Sequence, residues 1–299
     1  MTTESAKTLV EVRYGTEVVD GINIFYRESG IPQKRAVVLL HGYPASSHMY
    51  RDVLVALGAD WFLIAPDYPG FGNSGFPDPK DYEYTFDNLA RTIDKFLDQK
   101  GITEFVLGMQ DYGAPVGYRL ATKYPDRVKG LIVMNGNAYE EGFHPETSAP
   151  VRDFWNERTA EKEAAIATQL MSLEGIKWMY VEGTRKPEGI NPDNWVLDFA
   201  RIDRPGQEKV QLDLFYDYQN NVKSYPEWQA YLRERQPPTL VAWGSNDPIF
   251  VPAGAEAYRK DLKEIDFYMF DTGHFALEED AVQIIDKIRD FLARRAFAD

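Results

Sequence analysis

Residues 105–119, Phe-Val-Leu-Gly-Met-Gln-Asp-Tyr-Gly-Ala-Pro-Val-Gly-Tyr-Arg, put a carboxylate where an apolar run breaks and a helical pattern begins. The break is Gln110-Asp111-Tyr112-Gly113, and the pattern after it is studded with Gly and Ala. This is the outline of a nucleophile elbow, a sharp strand-to-helix turn that holds one reactive side chain above a sheet. The tip residue is Asp111, not Ser or Cys. A carboxylate attacking a carbonyl would give an unfavourable anhydride, whereas attack on saturated carbon gives an ordinary ester that water can cleave. Asp111 therefore predicts displacement at an sp3 carbon bearing an epoxide oxygen or a halide.

Such an ester needs a base to activate water, and the chain has four histidines: His41, His48, His144 and His274. His41 sits in His41-Gly42-Tyr43-Pro44, where it shapes a loop; His48 begins a helical stretch, and His144 lies in a region without strands. His274 follows the last apolar run in Asp271-Thr272-Gly273-His274-Phe275, the loop where a catalytic histidine would hang over the sheet. The orienting acid is expected at Asp247, in Trp243-Gly244-Ser245-Asn246-Asp247-Pro248. A carboxylate there can hold the imidazole in the right tautomer and stabilise its positive charge. The strand ending near Met134 could carry the acid instead, but it offers only Asn135 and Asn137, which are uncharged. Backbone N–H groups of Tyr43 and Tyr112 are the expected oxyanion hole. Gly70, Gly72 and Ser74 in Gly-Phe-Gly-Asn-Ser are read as a structural loop.

Residues 36–40, 62–65, 105–107, 131–134, 239–243 and 267–270 are short apolar runs that read as strands buried on both faces. Between them, Phe86, Leu89, Ala90, Ile93, Phe96 and Leu97 keep helical spacing, with Thr85 as N-cap and Gly101 just past the end. Residues 281–292 repeat that spacing, and residues 9–28 alternate like an antiparallel hairpin. The class implied is α/β, a mostly parallel sheet flanked by helices. The alternation fails over residues 137–238, where Trp and Tyr cluster and residues 159–172 and 208–222 are amphipathic. That segment is expected to be a helical insertion over a core formed by residues 1–136 and 239–299.

Composition narrows the partners. Hydrophobic residues make up 44% and charged residues 27% of the 299, as in ordinary globular proteins. A net charge of −14 argues against nucleic acid or an anionic membrane, each of which needs a basic patch. The absence of cysteine excludes disulfides, thiolate catalysis and Cys-ligated metals. The Met1–Lys7 stretch carries no apolar signal core, and no run approaches the ~18 apolar residues of a membrane span, so a cytoplasmic protein is expected.

These residues are similar to those of the α/β-hydrolase superfamily, in its aspartate-nucleophile branch of epoxide hydrolases and haloalkane dehalogenases. The resemblance runs from the N-terminal hairpin to the last helix. It rests on the His-Gly-x-Pro turn, the Gln-Asp-Tyr-Gly elbow, the Trp-Gly-x-x-Asp acid loop and the Gly-His loop. It implies a two-step hydrolysis of a small apolar substrate through an alkyl-enzyme ester, a helical cap, and no metal or organic cofactor. Haloalkane dehalogenases usually carry a Trp after the nucleophile and an Asn or second Trp as halide donors; the matching residues here are Tyr112 and Tyr43. The Arg-rich elbow of fluoroacetate dehalogenases is absent as well.

Epoxide hydrolases use two cap tyrosines as proton donors. The insertion offers Tyr139, Tyr180, Tyr216, Tyr218, Tyr225 and Tyr231. The resemblance points to Tyr216 or Tyr218 for one donor and Tyr180 for the other, with Tyr139 behind it. Tyr216 and Tyr218 are two apart on a helix, so they cannot face the same way. The activity implied is epoxide hydrolysis to a diol. A haloalkane dehalogenase with atypical halide ligands is the alternative. A non-catalytic hydrolase-fold binding protein is the third reading, and it leaves an intact nucleophile, acid and base without a use.

Overall fold

A computed structural model describes residues 10–297 of the chain. Its centre is an eight-stranded sheet made of β1 (Val12–Val19), β2 (Ile22–Ser29), β3 (Arg35–Leu40), β4 (Leu63–Pro66), β5 (Glu104–Gln110), β6 (Val128–Met134), β7 (Thr239–Gly244) and β8 (Asp266–Phe270). The strand order is β1-β2-β4-β3-β5-β6-β7-β8. β1 and β2 form the expected antiparallel hairpin through Asp20-Gly21, and β2 meets β4 antiparallel; every later pairing is parallel. Residue 9 of the hairpin reading and the Met1–Lys7 stretch lie outside the described residues.

The central strands are apolar throughout because helices cover both faces of a parallel sheet. Phe105, Val106, Leu107 and Met109 of β5 are fully buried, as are Val37, Val38, Leu39 and Leu40 of β3. β8 departs from the sequence reading of a strand buried on both faces. It is the sheet's edge, paired only with β7, and Phe267, Tyr268 and Met269 are partly exposed. Apolar content alone does not distinguish an edge strand from a central one.

The helices before the insertion are α1 (Arg51–Leu57), α2 (Phe86–Gln99) and α3 (Gly113–Lys123). The Thr85 hydroxyl caps α2 by accepting the Asn88 N–H at 3.2 Å, and Gly101 beyond its end takes φ 69°. Between β6 and β7 come α4 (Pro145–Asn156), α5 (Ala160–Leu170), α6 (Leu173–Val181), α7 (Asp193–Ile202) and α8 (Gln207–Arg235). The chain closes with α9 (Pro252–Ala257) and α10 (Ala276–Phe291).

Specific contacts seat α8 on the core. Asp217 Oδ2 accepts the Phe86 N–H at 2.8 Å, placing negative charge at the start of α2. Arg119 of α3 donates to Asn221 Oδ1 at 2.7 Å, and Trp228 stacks on Tyr118 with ring centroids 5.2 Å apart. None of the helices among the described residues is long and apolar enough to cross a membrane.

Candidate active site

In an open parallel sheet, ligand-facing residues gather in the loops beyond the C-terminal ends of the strands. Tyr43 follows β3, Asp111 follows β5, Asn135 follows β6, Asp247 follows β7 and His274 follows β8. Asp111 sits at the elbow with φ 48°, a left-handed conformation that a non-glycine residue holds only under constraint. The turn is tight enough that a Cβ on Gly113 would stand 2.1 Å from the Leu40 carbonyl oxygen. Only glycine lets α3 leave β5 so steeply, which aims the start of the helix at the Asp111 carboxylate.

Asp111 Oδ1 accepts the Tyr43 N–H at 2.7 Å, and the nearby Tyr112 N–H also favours the ionised carboxylate. Of the two backbone donors expected of an oxyanion hole, that of Tyr43 hydrogen-bonds Asp111 and that of Tyr112 adjoins it. Gly42 allows the approach, since a Cβ there would lie 2.3 Å from Asp111 Cβ. The other carboxylate oxygen, Oδ2, lies 3.9 Å from His274 Nε2. On its far side His274 Nδ1 donates to Asp247 Oδ2 at 2.8 Å.

Asp247 is held from four directions. Its Oδ1 accepts the N–H groups of Ile249 at 2.7 Å and Phe250 at 3.1 Å, while Oδ2 accepts Asn135 Nδ2 at 2.7 Å as well as His274. Asn135 in turn accepts the Gly244 N–H at 3.1 Å, tying the ends of β6 and β7 together. The sequence reading set Asn135 aside for lack of charge and missed this bracing role. Its position at the end of β6 is the one signal of that role in the sequence.

Burial pushes the Asp111 carboxyl up, against the opposing pull of His274 and of the Tyr43 and Tyr112 N–H groups. Burial would lower His274, but the Asp247 charge, its hydrogen bond and Asp111 outweigh it and leave the imidazole raised. His274 therefore holds a proton more readily than a free imidazole. His41 is occupied elsewhere: its Nδ1 lies 3.0 Å from the Gly42 carbonyl and its Nε2 accepts the Tyr68 N–H at 3.3 Å. His144 caps α4 by accepting the Glu146 and Thr147 N–H groups, and His48 lies in a short 3-10 turn. Asp67 organises the Gly70–Ser74 loop by accepting the Asn73 N–H at 2.8 Å, with the Ser74 hydroxyl donating to the Asp67 carbonyl at 2.7 Å.

Asp111 and His274 open onto a cavity. Its walls are largely apolar, from Phe143, Val151, Trp155, Trp178, Phe215 and Phe250. Tyr43, Tyr112 and Tyr218 bring the only phenols that line it among the described residues. The Tyr43 hydroxyl donates to the Leu170 carbonyl at 2.9 Å, whereas those of Tyr112 and Tyr218 are buried without a hydrogen-bond partner.

The remaining tyrosines are placed differently from the sequence expectation. Tyr180 does not line the cavity: its hydroxyl donates to Asp198 Oδ2 at 2.6 Å and its ring stacks on Phe275 with centroids 4.0 Å apart. Tyr216 turns away from the cavity onto Phe154 and the Arg158 guanidinium. Tyr139 donates to Asp261 at 2.7 Å, and Tyr225 stacks on Phe143 with ring centroids 6.4 Å apart. Of the tryptophans, Trp155 and Trp178 line the cavity, though the Trp155 indole already donates to the Phe215 carbonyl at 2.7 Å. Among the described residues no three His, Asp or Glu side chains are grouped to hold a metal ion.

Residues 35–281 match the family described as alpha/beta hydrolase fold. The uncharacterized hydrolase YNR064C of Saccharomyces cerevisiae is 42% identical over 279 residues, which span 93% of this chain and 96% of its own. A haloalkane dehalogenase of Bradyrhizobium diazoefficiens is 38% identical over 125 residues, covering 42% of this chain and 39% of its own. Among solved structures, the epoxide hydrolase CorEH superposes with a TM-score of 0.74 over 95% of this chain and 99% of its own. At 19% identity that likeness concerns the fold alone. The sheet order, the elbow and a family match over most of its length identify this chain as a member of the alpha/beta hydrolase family.

Proposed function

We propose that this hydrolase opens an epoxide to a diol through an ester on Asp111, with Asp247 and His274 completing the triad and residues 137–238 acting as a cap. The observation that carries the reading is a buried carboxylate and two unpartnered phenols, Tyr218 and Tyr112, on one apolar cavity. Asp111 Oδ2, the oxygen not held by Tyr43, attacks an epoxide carbon and the ring C–O bond breaks. The epoxide oxygen takes a proton from Tyr218, because an alkoxide is a poor leaving group without a positioned donor. Burial and the neighbouring Tyr225 hydroxyl push the Tyr218 phenol up, so it rests protonated.

In the second half-reaction water bonds to Asp111 Cγ and gives a proton to His274 Nε2. Negative charge collects on Oδ1, to which the Tyr43 N–H already donates, with the Tyr112 N–H beside it. Collapse breaks the Cγ–Oδ2 bond, and Oδ2 leaves on the substrate carbon, taking the proton from His274. The regenerated Asp111 acid gives up the last proton, which restores the Tyr218 phenol.

One observation favours a second reading, a haloalkane dehalogenase: Trp178 presents an indole side chain to the same cavity. Bromide leaves without a proton, so the two readings separate by product. The test incubates the enzyme with styrene oxide and with 1-bromobutane, followed by a single turnover in 18O-water. The expected result is diol from the epoxide, unlabelled in the first turnover, with 18O in the Asp111 peptide. Bromide without diol would establish the dehalogenase reading. Diol labelled directly from water would remove Asp111 as nucleophile, and neither product would leave the non-catalytic reading.

A further inference from the structure

Gln110, the last residue of β5, is buried beside Asp111, and its Nε2 lies 3.0 Å from His274 Nε2. Its own Oε1 is also buried and has no hydrogen-bond partner. The triad fixes what this contact can be. Asp247 accepts Nδ1–H, so a neutral imidazole must present a lone pair at Nε2, which suits an amide N–H.

Once Nε2 takes a proton from water, the same amide N–H faces another N–H and repels it. Asp111 Oδ2, 3.9 Å away, is a charged acceptor in the resting enzyme but an ester oxygen at that stage. Until the leaving oxygen takes that proton, Gln110 Oε1 can accept it in a hydrogen bond after the amide turns over. The turn sacrifices no hydrogen bond at Oε1, because none is made there. It takes place against a bare glycine: a Cβ on Gly42 would stand 2.6 Å from Gln110 Oε1.

We propose that Gln110 is a positioning residue for His274, its amide turning over to offer N–H to the neutral imidazole and Oε1 to the imidazolium formed during ester hydrolysis. The proposal rests on the Asp111-ester reading. It assigns Gln110 to the second half-reaction alone, because attack of Asp111 on the substrate leaves His274 neutral. The charged groups facing His274 are Asp247, from the loop after β7, and Asp111, from the elbow; Phe250 and Phe275 pack against the ring without charge.

The test follows the Gln110 side-chain amide by NMR across the titration of His274 in 15N-labelled Asp111→Asn enzyme, whose neutral amide stands in for the ester and removes the charged acceptor, assigned with a further Gln110→Met change. The amide resonances should move together with the imidazole, with a scalar coupling between the two Nε2 atoms present at high pH and lost at low pH. In parallel, Gln110→Met keeps the volume and removes both hydrogen bonds. It should form the Asp111 adduct at close to the wild-type rate and hydrolyse it roughly tenfold to 100-fold more slowly, the scale of a hydrogen bond to a charged group. Amide resonances that ignore the His274 titration, or wild-type ester hydrolysis in Gln110→Met, would overturn the proposal. Failure of the ester reading shows differently, as no Asp111 adduct in any variant while the amide still follows His274.

Discussion

At the strand ends the acid that orients His274 is held on both of its oxygens, whereas on the helices between β6 and β7 one residue type meets several fates. Asp247 is held by Ile249, Phe250, Asn135 and His274 together. Tyr139 and Tyr180 are each spent on a buried aspartate, Tyr216 faces Arg158, and Tyr218 alone of these reaches the cavity, its hydroxyl unpartnered. The contrast teaches where specification is strict. A strand end in a parallel sheet fixes a side chain through backbone geometry that few sequences satisfy. On a helix, a shift of two residues turns a side chain by about 200°, and almost any large apolar residue fills the other directions. Chemistry is therefore expected to be brittle at the strand ends and adjustable on α8.

The largest effects should come from the strand ends. Asp111→Ala is expected to lower turnover by roughly 10⁴-fold or more, the scale seen when a member of a catalytic unit is removed. His274→Gln should still be alkylated, so intact-mass measurement should find a substrate-sized adduct on the Asp111 peptide. A competent substrate that leaves no adduct on this variant would erase the proposed distinction between the two half-reactions.

A middle-sized effect sharpens the comparison within α8. Tyr218→Phe should lose roughly 10²-fold in alkylation by epoxides, the lower range for a general acid, and little with bromoalkanes. Tyr216→Phe should stay within about twofold of wild type on both, since exposed or outward contacts contribute little. Equal rates for the two variants would make Tyr218 a packing residue and weaken the epoxide reading.

The smallest effect concerns stability. Burial pushes Asp198 up to about 8, with the Glu278 charge adding to it and the Tyr180 hydrogen bond opposing it. Its folded value exceeds the unfolded one near 3.9, so the unfolded state sheds the proton first as pH rises. The stability Asp198 contributes is therefore fullest below pH ~4 and drains away up to about pH 8. Asp198→Asn, which still accepts from Tyr180, should gain about 2 °C or more in Tm relative to wild type between pH 5 and pH 8.5. A constant Tm difference over that range would mean that Asp198 stays ionised in the folded protein. Turnover should change little, because Asp198 does not line the cavity.

Much of the architecture could be read from local signals, because the apolar runs at residues 36–40 and 105–107, the Thr85 cap and the Gly-rich elbow act over a few residues each. The order of Asp111, Asp247 and His274 along the chain was equally visible, since each sits in a recognisable turn after a strand. The edge position of β8 was not visible, because the number of neighbours a strand has is a property of the sheet. Nor was the diversion of Tyr180, which depends on Asp198 arriving from the next helix.

The amino-acid sequence by itself determined the alternation of strands and helices and the type of residue at each strand end, because those depend on periodicity and turn chemistry between near neighbours. Tertiary structure alone decided that Asn135 braces Asp247, that Gln110 meets His274 across 164 positions, and that Tyr218 rather than Tyr216 faces Asp111. Those contacts join residues on separate elements, and their distances and directions follow from how the elements pack, which no local pattern encodes.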